Sequence, residues 1–381
     1  MIRFVARENV PRWLTFAVPL ASVVLAAIVA GIVLAATGHN PLTTYRHIVQ
    51  ASITQPGAFS QTLVSMTPLM FTGLAAAVAF RMRLWNIGAE GQLYWGAIGA
   101  SGAGLLFHGL PGPLLIAVML AVGLLAGMLW ASIPGVLRAY FNTNEILTTL
   151  MLNYVAANLM YYLIFDSTSY WRDLTSPSAR VFPQGKNLPA AANWPALQVG
   201  SLTIPFGLLF AIGLAMLLWG MIRATRYGFE MRVLADSPSV GKYAGIRTRR
   251  KILSLMALSG GIAGLGGASQ VGDFSHVLDP RGLEQAGFGY TGIVVAALAR
   301  YNPFAVVVTS FFIGMLVNAG FALQGPGFPV GLTGTMEGIL LFCVLGAEIF
   351  TRYRIAVRLP HRPAAAPPVE ARPAVPHGGM S

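Results

Sequence analysis

Charge is scarce in this chain. Asp, Glu, Lys and Arg make up 10% of its 381 residues, against roughly a quarter in soluble domains, which excludes an ordinary soluble globular protein. Cysteine is nearly absent: Cys343 stands alone in an apolar run, so no internal disulfide can form and a packing role is expected. The six histidines, at positions 39, 47, 108, 276, 361 and 377, never fall at metal-ligand spacing, so no metal is expected. A phosphate-binding loop is missing too, because Gly185-Lys186 and Gly241-Lys242 lack the upstream glycine of G-x-x-x-x-G-K-[ST]. H-E-x-x-H, G-x-S-x-G and paired-cysteine motifs do not occur. The sequence therefore reads as a non-enzyme with no cofactor of its own.

What is abundant is apolar length. Hydrophobic residues make up 55% of the chain and mean hydropathy is +0.65. Runs near the ~20 residues that a bilayer core requires can be drawn at 13–36, 60–80, 86–107, 113–137, 146–165, 203–222, 252–270, 303–323 and 332–350, with a shorter one at 287–299. With the N-terminus inside, the loops starting at 81, 138, 223, 300 and 351 join residues 1–12 on the cytoplasmic side. Together they hold twenty of the 25 Lys and Arg. Outside, Arg46, Arg172, Arg180, Lys186 and Arg281 are balanced by Asp166, Asp173, Asp273, Asp279 and Glu284. The net charge of +12 is thus a positive-inside pattern and not a nucleic-acid footprint; membrane lipid is the expected surrounding. The run from Trp13 to Ala36 is longer than the ~7–15 residues of a signal-peptide core, so an uncleaved first helix is expected.

Ten spans put both termini in the cytoplasm, and two halves of five must then be inverted relative to each other, an architecture common among transporters. The expected division is a cytoplasmic N-terminus (1–12), a transmembrane domain (13–350) and a disordered cytoplasmic tail (351–381), whose Pro-Ala repeats cannot form a core. Aromatics and prolines in the outer loop 166–202 suggest an ordered cap. In the inner loop 223–251, Ser237 can N-cap a helix, Pro238 suits its first position and Gly245 its left-handed end. The two turns between, including Lys242, Tyr243 and Ala244, are too short to stand alone in water, so they either dock onto another protein or lie as a basic turn on the lipid surface.

Two glycine-interrupted segments carry the polar residues. In Trp85-Asn86-Ile87-Gly88-Ala89-Glu90-Gly91-Gln92-Leu93-Tyr94, Asn86 and Glu90 would share a face if both were helical. An ionisable group in hydrocarbon costs at least about 2.5–3.5 kcal/mol, so Glu90 requires partners or water. Residues 287–299, including Tyr290, could span only about 20 Å of a ~30 Å core. Paired interrupted segments point to a central site in an inverted-repeat transporter; glycine serving only close helix packing is the competing reading. Glu337 is expected to pair with an Arg or to accept backbone hydrogen bonds. Glu145 suits a helix N-terminus capped by Asn144. Asn153 and Asn158 lie about 140° apart on one helix, so at most one lines a path.

These blocks resemble a known family. Asn86 to Gln92, Asn144-Glu145-Ile146-Leu147-Thr148-Thr149-Leu150-Met151-Leu152-Asn153-Tyr154, Tyr243-Ala244-Gly245-Ile246 with Ser259 to Gly267, and Gly287 to Leu298 follow in order over about residues 60–350. They are similar to permeases of ATP-binding cassette importers of the simple-sugar and nucleoside class, in particular those working with a basic-membrane-protein lipoprotein. Departures are small: Leu84-Trp85 and Ala297-Leu298-Ala299-Arg300 differ from the commoner family residues. The resemblance implies an all-α integral membrane fold of about ten helices in two inverted halves, in the vitamin-B12-importer-like (type II) arrangement. It implies a bacterial inner-membrane location and a separate ATPase subunit that binds ATP and receives Ser237, Pro238, Lys242, Tyr243, Ala244 and Gly245. It also implies a second permease subunit, a shorter paralogue or a second copy, and an extracytoplasmic binding protein. The expected cargo is a nucleoside, a related ribosylated compound or a simple sugar, held weakly by Trp85, Asn86, Glu90, Gln92, Tyr94, Asn153 and Tyr290. The alternative is a secondary transporter in which Glu90 or Glu337 carries protons.

Overall fold

A computed structural model describes residues 2–6, 12–322 and 331–357. Helices α1 (Arg12–Ala36), α2 (Pro41–Val49), α3 (Ala58–Phe80), α4 (Ala89–Leu106), α5 (Gly112–Phe141) and α6 (Glu145–Tyr161) come first. The segment expected as an outer cap, with α7 (Pro177–Val181) and a hairpin β2 (Ala196–Val199) and β3 (Leu202–Pro205), follows. Then come α8 (Phe206–Ala224), α9 (Arg226–Asp236), α10 (Pro238–Tyr243), α11 (Thr248–Ser269), α12 (Pro280–Ala286), α13 (Phe288–Leu298), α14 (Pro303–Ala322) and α15 (Leu332–Arg352). Strand β1 (Ile2–Ala6) pairs antiparallel with β4 (Tyr353–Val357), bringing both ends of the described chain to one side of the bundle. The expected tail thus begins as the end of α15 and a strand; positions 358–381 lie outside the described residues.

Among the described residues, six helices are long and apolar enough to cross a bilayer: α3, α5, α6 with its π-helical extension to Asp166, α8, α11 with its extension to Ser275, and α14. A seventh is reached if Leu20–Ala36 and Pro41–Thr54, bent by 120°, are one span. Pro41–Thr54 lies between the expected runs 13–36 and 60–80, where no span is drawn. Asn40 caps it by accepting from the Leu42 and Thr43 amides, with Pro41 in the first turn. Its polar Thr43, Thr44, Arg46 and His47 carry no apolar run to betray a helix.

Two helices form the centre. The window of α3 is 89% buried and that of α11 72%, against 22–33% for α5, α6 and α8. Helix α3 packs against α11, α13 and α14, while α11 packs against α3, α4 and α5. Lipid tails are as apolar as leucine, so such contacts need close backbone approach rather than hydrophobic exclusion. Helix α11 supplies it: a Cβ on Gly264 would lie 2.3 Å from the Gly123 carbonyl oxygen, and one on Gly267 would lie 2.0 Å from that of Leu93.

The expected outer cap is ordered. Trp171 Nε1 donates to the Ile98 carbonyl (3.1 Å), Arg172 Nη1 donates to the carbonyls of Phe165 and Ser167, and the Trp194 amide donates to Gly272 O (3.0 Å). Around Asp173, hydrogen bonds from Ser176 and Thr175 hold the carboxyl well below the usual carboxylate range.

Packing this tight has a measurable consequence. Gly264→Ala should separate α5 from α11 and lower the melting temperature in detergent, at a cost of about 1–3 kcal/mol. Gly213→Ala, on α8 where a Cβ meets nothing within 4 Å, should leave it unchanged. Equal melting temperatures for the two variants would refute the close-approach role.

Candidate functional site

The backbone leaves α3 through Arg83, at a left-handed φ of 57°, and runs non-helically through Leu84–Ile87 before α4 begins at Ala89. Far along the chain α12 ends at Gly287, also left-handed (φ 57°), and α13 starts immediately after it. The first turns of α4 and α13 meet inside the bundle. A helix start leaves amides without intrahelical partners and carries partial positive charge, so it requires an acceptor when buried.

Glu90 is that acceptor. Its side chain has no solvent exposure. Oε2 accepts from the amides of Gly289 and Tyr290 in the first turn of α13, and Oε1 accepts from Tyr94 Oη at 2.7 Å. The contact is possible because residue 289 is glycine: a Cβ there would lie 2.2 Å from the Glu90 nitrogen. Thr72 of α3 secures the same turn by donating to Phe288 O at 2.8 Å.

Around this joint the amides are saturated. Asn86 Nδ2 donates to Gln92 Oε1 and to Ser259 Oγ, both at 2.9 Å, while Asn86 Oδ1 accepts from Gln92 Nε2 and from the Gly88 amide at 3.0 Å. Ser259 passes the chain on to Ala75 O at 2.8 Å. Asn153 Oδ1 accepts from the Gly91 amide, and its Nδ2 donates to Ile87 O at 2.9 Å and to Tyr290 Oη at 3.3 Å. Asn86, Glu90, Gln92, Tyr94 and Asn153 are all buried, whereas Trp85 and Tyr290 remain 41% and 40% exposed. Of the expected path residues, five are therefore buried within the bundle and two are part-exposed. Asn86 and Glu90 do not share a helical face, because Asn86 precedes the helix and turns back onto Gly88. Asn158 bonds only its own helix, at Tyr154 O.

The remaining acids are placed as follows. Glu145 lies in the first turn of α6, capped by Asn144 Oδ1, and pairs with Arg138 at 3.2 Å. Among the described residues Glu337 meets no Arg; Thr291 Oγ1 donates to it at 2.8 Å and ties α15 to α13. Asp273 repeats the logic of Glu90 at α8, accepting from the Gly207 amide (3.0 Å) and Ser269 Oγ (2.7 Å). Sequence reasoning missed Ser259, Asp273 and the pair of Tyr161 with Glu284. The polar residues themselves were the only signal available.

On the opposite face, α10 has the expected ends. Ser237 Oγ accepts from the Val240 amide at 3.5 Å, Pro238 opens the first turn and Gly245 follows at φ 75°. Gly241 seats the helix on Leu234 of α9. Tyr243 is 96% exposed and Val240 57%, and Lys242, Ala244 and Gly245 are exposed beside them. Lys251 Nζ (2.6 Å) and Arg226 Nε (2.9 Å) both hold Glu230 of α9. The hydrogen bond from Lys251, foremost, keeps the Glu230 carboxyl below its ordinary range.

Removing the acceptor should be felt as stability before it is felt as transport. Glu90→Ala leaves the Gly289 and Tyr290 amides and the Tyr94 hydroxyl without a partner, at about 1–3 kcal/mol per buried group. A lower melting temperature in detergent is expected, with Glu90→Gln intermediate because its single carboxamide oxygen still accepts. A Glu90→Ala protein that melts with the wild type would contradict the anchoring role.

Residues 58–345 match the family described as branched-chain amino acid transport system / permease component. Among similar proteins, a glucose ABC transporter permease of Haloferax volcanii is 29% identical over 95% of each chain. A nucleoside ABC transporter permease of Lactococcus lactis is 27% identical over 90% of this chain and 93% of its own, and a guanosine ABC transporter permease of Bacillus subtilis is 30% identical over 78% and 84%. With several bilayer-length helices and a match covering most of its length, the chain belongs to the branched-chain amino acid transport system / permease component family of multi-pass ABC transporter permeases.

Proposed function

We propose that this chain is a permease subunit of an ATP-driven importer in a bacterial inner membrane, carrying a nucleoside, a related ribosylated compound or a simple sugar. The observation that carries the reading is α10: a helix too short to be stable alone, capped at both ends, with Tyr243 and Val240 turned outward. Such a projection gives a separate ATPase subunit something to grip. ATP would be bound there, and this chain needs no nucleotide site.

The cargo path runs along the face bearing Trp85 and Tyr290, and the wall of Asn86, Glu90, Gln92, Tyr94 and Asn153 fixes its shape. A second permease subunit, a shorter paralogue or a second copy, closes the path from the other side, and an external binding protein delivers cargo. Ten spans in inverted halves and the type II arrangement fit the way α3 sits among α11, α13 and α14 while α11 sits among α3, α4 and α5. Each half's central helix is then lodged in the other half. The basic residues of 223–251 support a cytoplasmic α10, and the pairing of β1 with β4 supports a shared side for both ends of the described chain.

The test is reconstitution. Uptake into liposomes should require ATP and the ATPase partner and should survive a proton ionophore. Tyr243→Asp should reduce it at least tenfold with an unchanged melting temperature. Uptake by the permease alone, abolished by the ionophore, would establish the proton-coupled alternative instead.

A further inference from the structure

A cavity of about 190 Å³ lies between the first turns of α3, the π-helical end of α11, α12 and the last turns of α14. By the charge pattern these are the outer ends of their helices. The cavity lies on the Leu283 and Ala286 side of α12, apart from the Tyr290 side. Its volume is below the roughly 300–1,000 Å³ of drug-sized sites and suits a single small ring system with part of it left outside.

The lining is chemically specific. Gln270 is nine-tenths buried and borders the cavity, and its carboxamide makes no hydrogen bond with the described residues, in a bundle where Asn86, Gln92, Asn153 and Asn318 are all bonded. With no partner inside the described protein, this carboxamide is available to a group that enters the cavity. Gln61 and Ser65 of α3 line the same space. Phe274, Phe288 and Phe321 add three aromatic rings, none stacked on another ring among the described residues. No Lys or Arg lines the cavity, and the one acid there, Asp279, caps α12 by accepting from the Arg281 amide.

We propose that this cavity receives the planar ring of the cargo at the outer face, and that it takes an uncharged nucleoside or nucleobase in preference to a free sugar or a phosphorylated compound. The inference rests on the importer reading and narrows its cargo. A carboxamide has the donor and acceptor pair that matches the amide-like edge of a heterocyclic base, and ring stacking on aromatic side chains contributes about 1–3 kcal/mol per base. A hexose has hydroxyls for the amides but no π-face for the rings. A phosphate would face Asp279 with no cation to offset it.

The experiment uses the assembled transporter in nanodiscs and a photoreactive azido-purine nucleoside. Label should fall on peptides within 270–288, be displaced by unmodified nucleoside, and persist in excess glucose or nucleoside monophosphate. Gln270→Leu should reduce labelling at least tenfold. Phe274→Ala and Gln61→Ala, at exposed positions, should each reduce it several-fold and guard against a folding failure in the first variant. Label elsewhere, displacement by glucose as effective as by nucleoside, or labelling unchanged in all three variants would overturn the proposal. ATP-driven uptake of a sugar alone by the same transporter in liposomes would overturn it while leaving the importer reading intact. Absence of any ATP-driven uptake would strike the importer reading, and the label would still report on the cavity.

Discussion

The arrangement depends on a carboxylate buried between two helix starts. Unsatisfied amides inside a bilayer cost several kcal/mol each, so non-helical backbone survives at that depth only when protein or water covers it. Here one acid, Glu90, covers the first turn of α13 from the first turn of α4, and Gly289 permits the approach by having no side chain. Remove that joint and neither α4 nor the eleven-residue α13 has a reason to begin where it does. The amide network of Asn86, Gln92, Asn153 and Ser259 is its continuation, pinning the non-helical strand that leads into α4 against α6 and α11.

This anchoring divides the molecule into parts of different stiffness. Helices α4, α5 and α11 interlock through glycines whose neighbours are backbone carbonyls, so they can move only together. Helix α13 approaches α4 and α3 through Gly289 and Gly292, while named bonds tie α12 and α13 further: Glu90 to the Gly289 and Tyr290 amides, Thr291 to Glu337, Thr72 to Phe288, and Tyr161 to Glu284. Discrete bonds of this kind can exchange partners, whereas an interlocked glycine face cannot slide without separating. On the proposed reading, a push on α10 enters the stiff block through α9, whose Glu230 is bonded to Lys251 in the first turn of α11.

Features fixed by short-range chemistry were legible in the sequence. Asn144 before Glu145, and Ser237-Pro238 followed by Gly245, marked helix ends that the structure has at those positions. The glycines at 88, 91, 287 and 289 marked both interrupted segments. Identities of distant partners were not legible. Asn86 meets Ser259, 173 residues away, and Glu337 meets Thr291 where an Arg or a backbone amide was the expectation. Nothing local distinguishes a polar residue that faces a path from one that holds its wall; both are unusual in hydrocarbon, and only the fold says which donors are in reach. Asn86 shows the limit clearly, since a shared face with Glu90 presumed a helix that its own turn back onto Gly88 prevents.

The two saturated acid joints also bear on where cargo can be recognised. A group whose hydrogen bonds are all made within the protein can contact a solute only by giving one up, which costs about as much as the new bond returns. Glu90, Asn86 and Asn153 are in that position, and so is Asp273 at the start of α8. Recognition is cheaper for groups not already committed, and in the described residues those lie elsewhere: the part-exposed rings of Trp85, ahead of α4, and of Tyr290, on α13, and the unpartnered carboxamide of Gln270 beside α12. On the proposed reading a transporter gains from this separation, because the groups that would shape the path keep their bonds while cargo passes, and the groups that would touch cargo hold it only as tightly as a few unshared contacts allow.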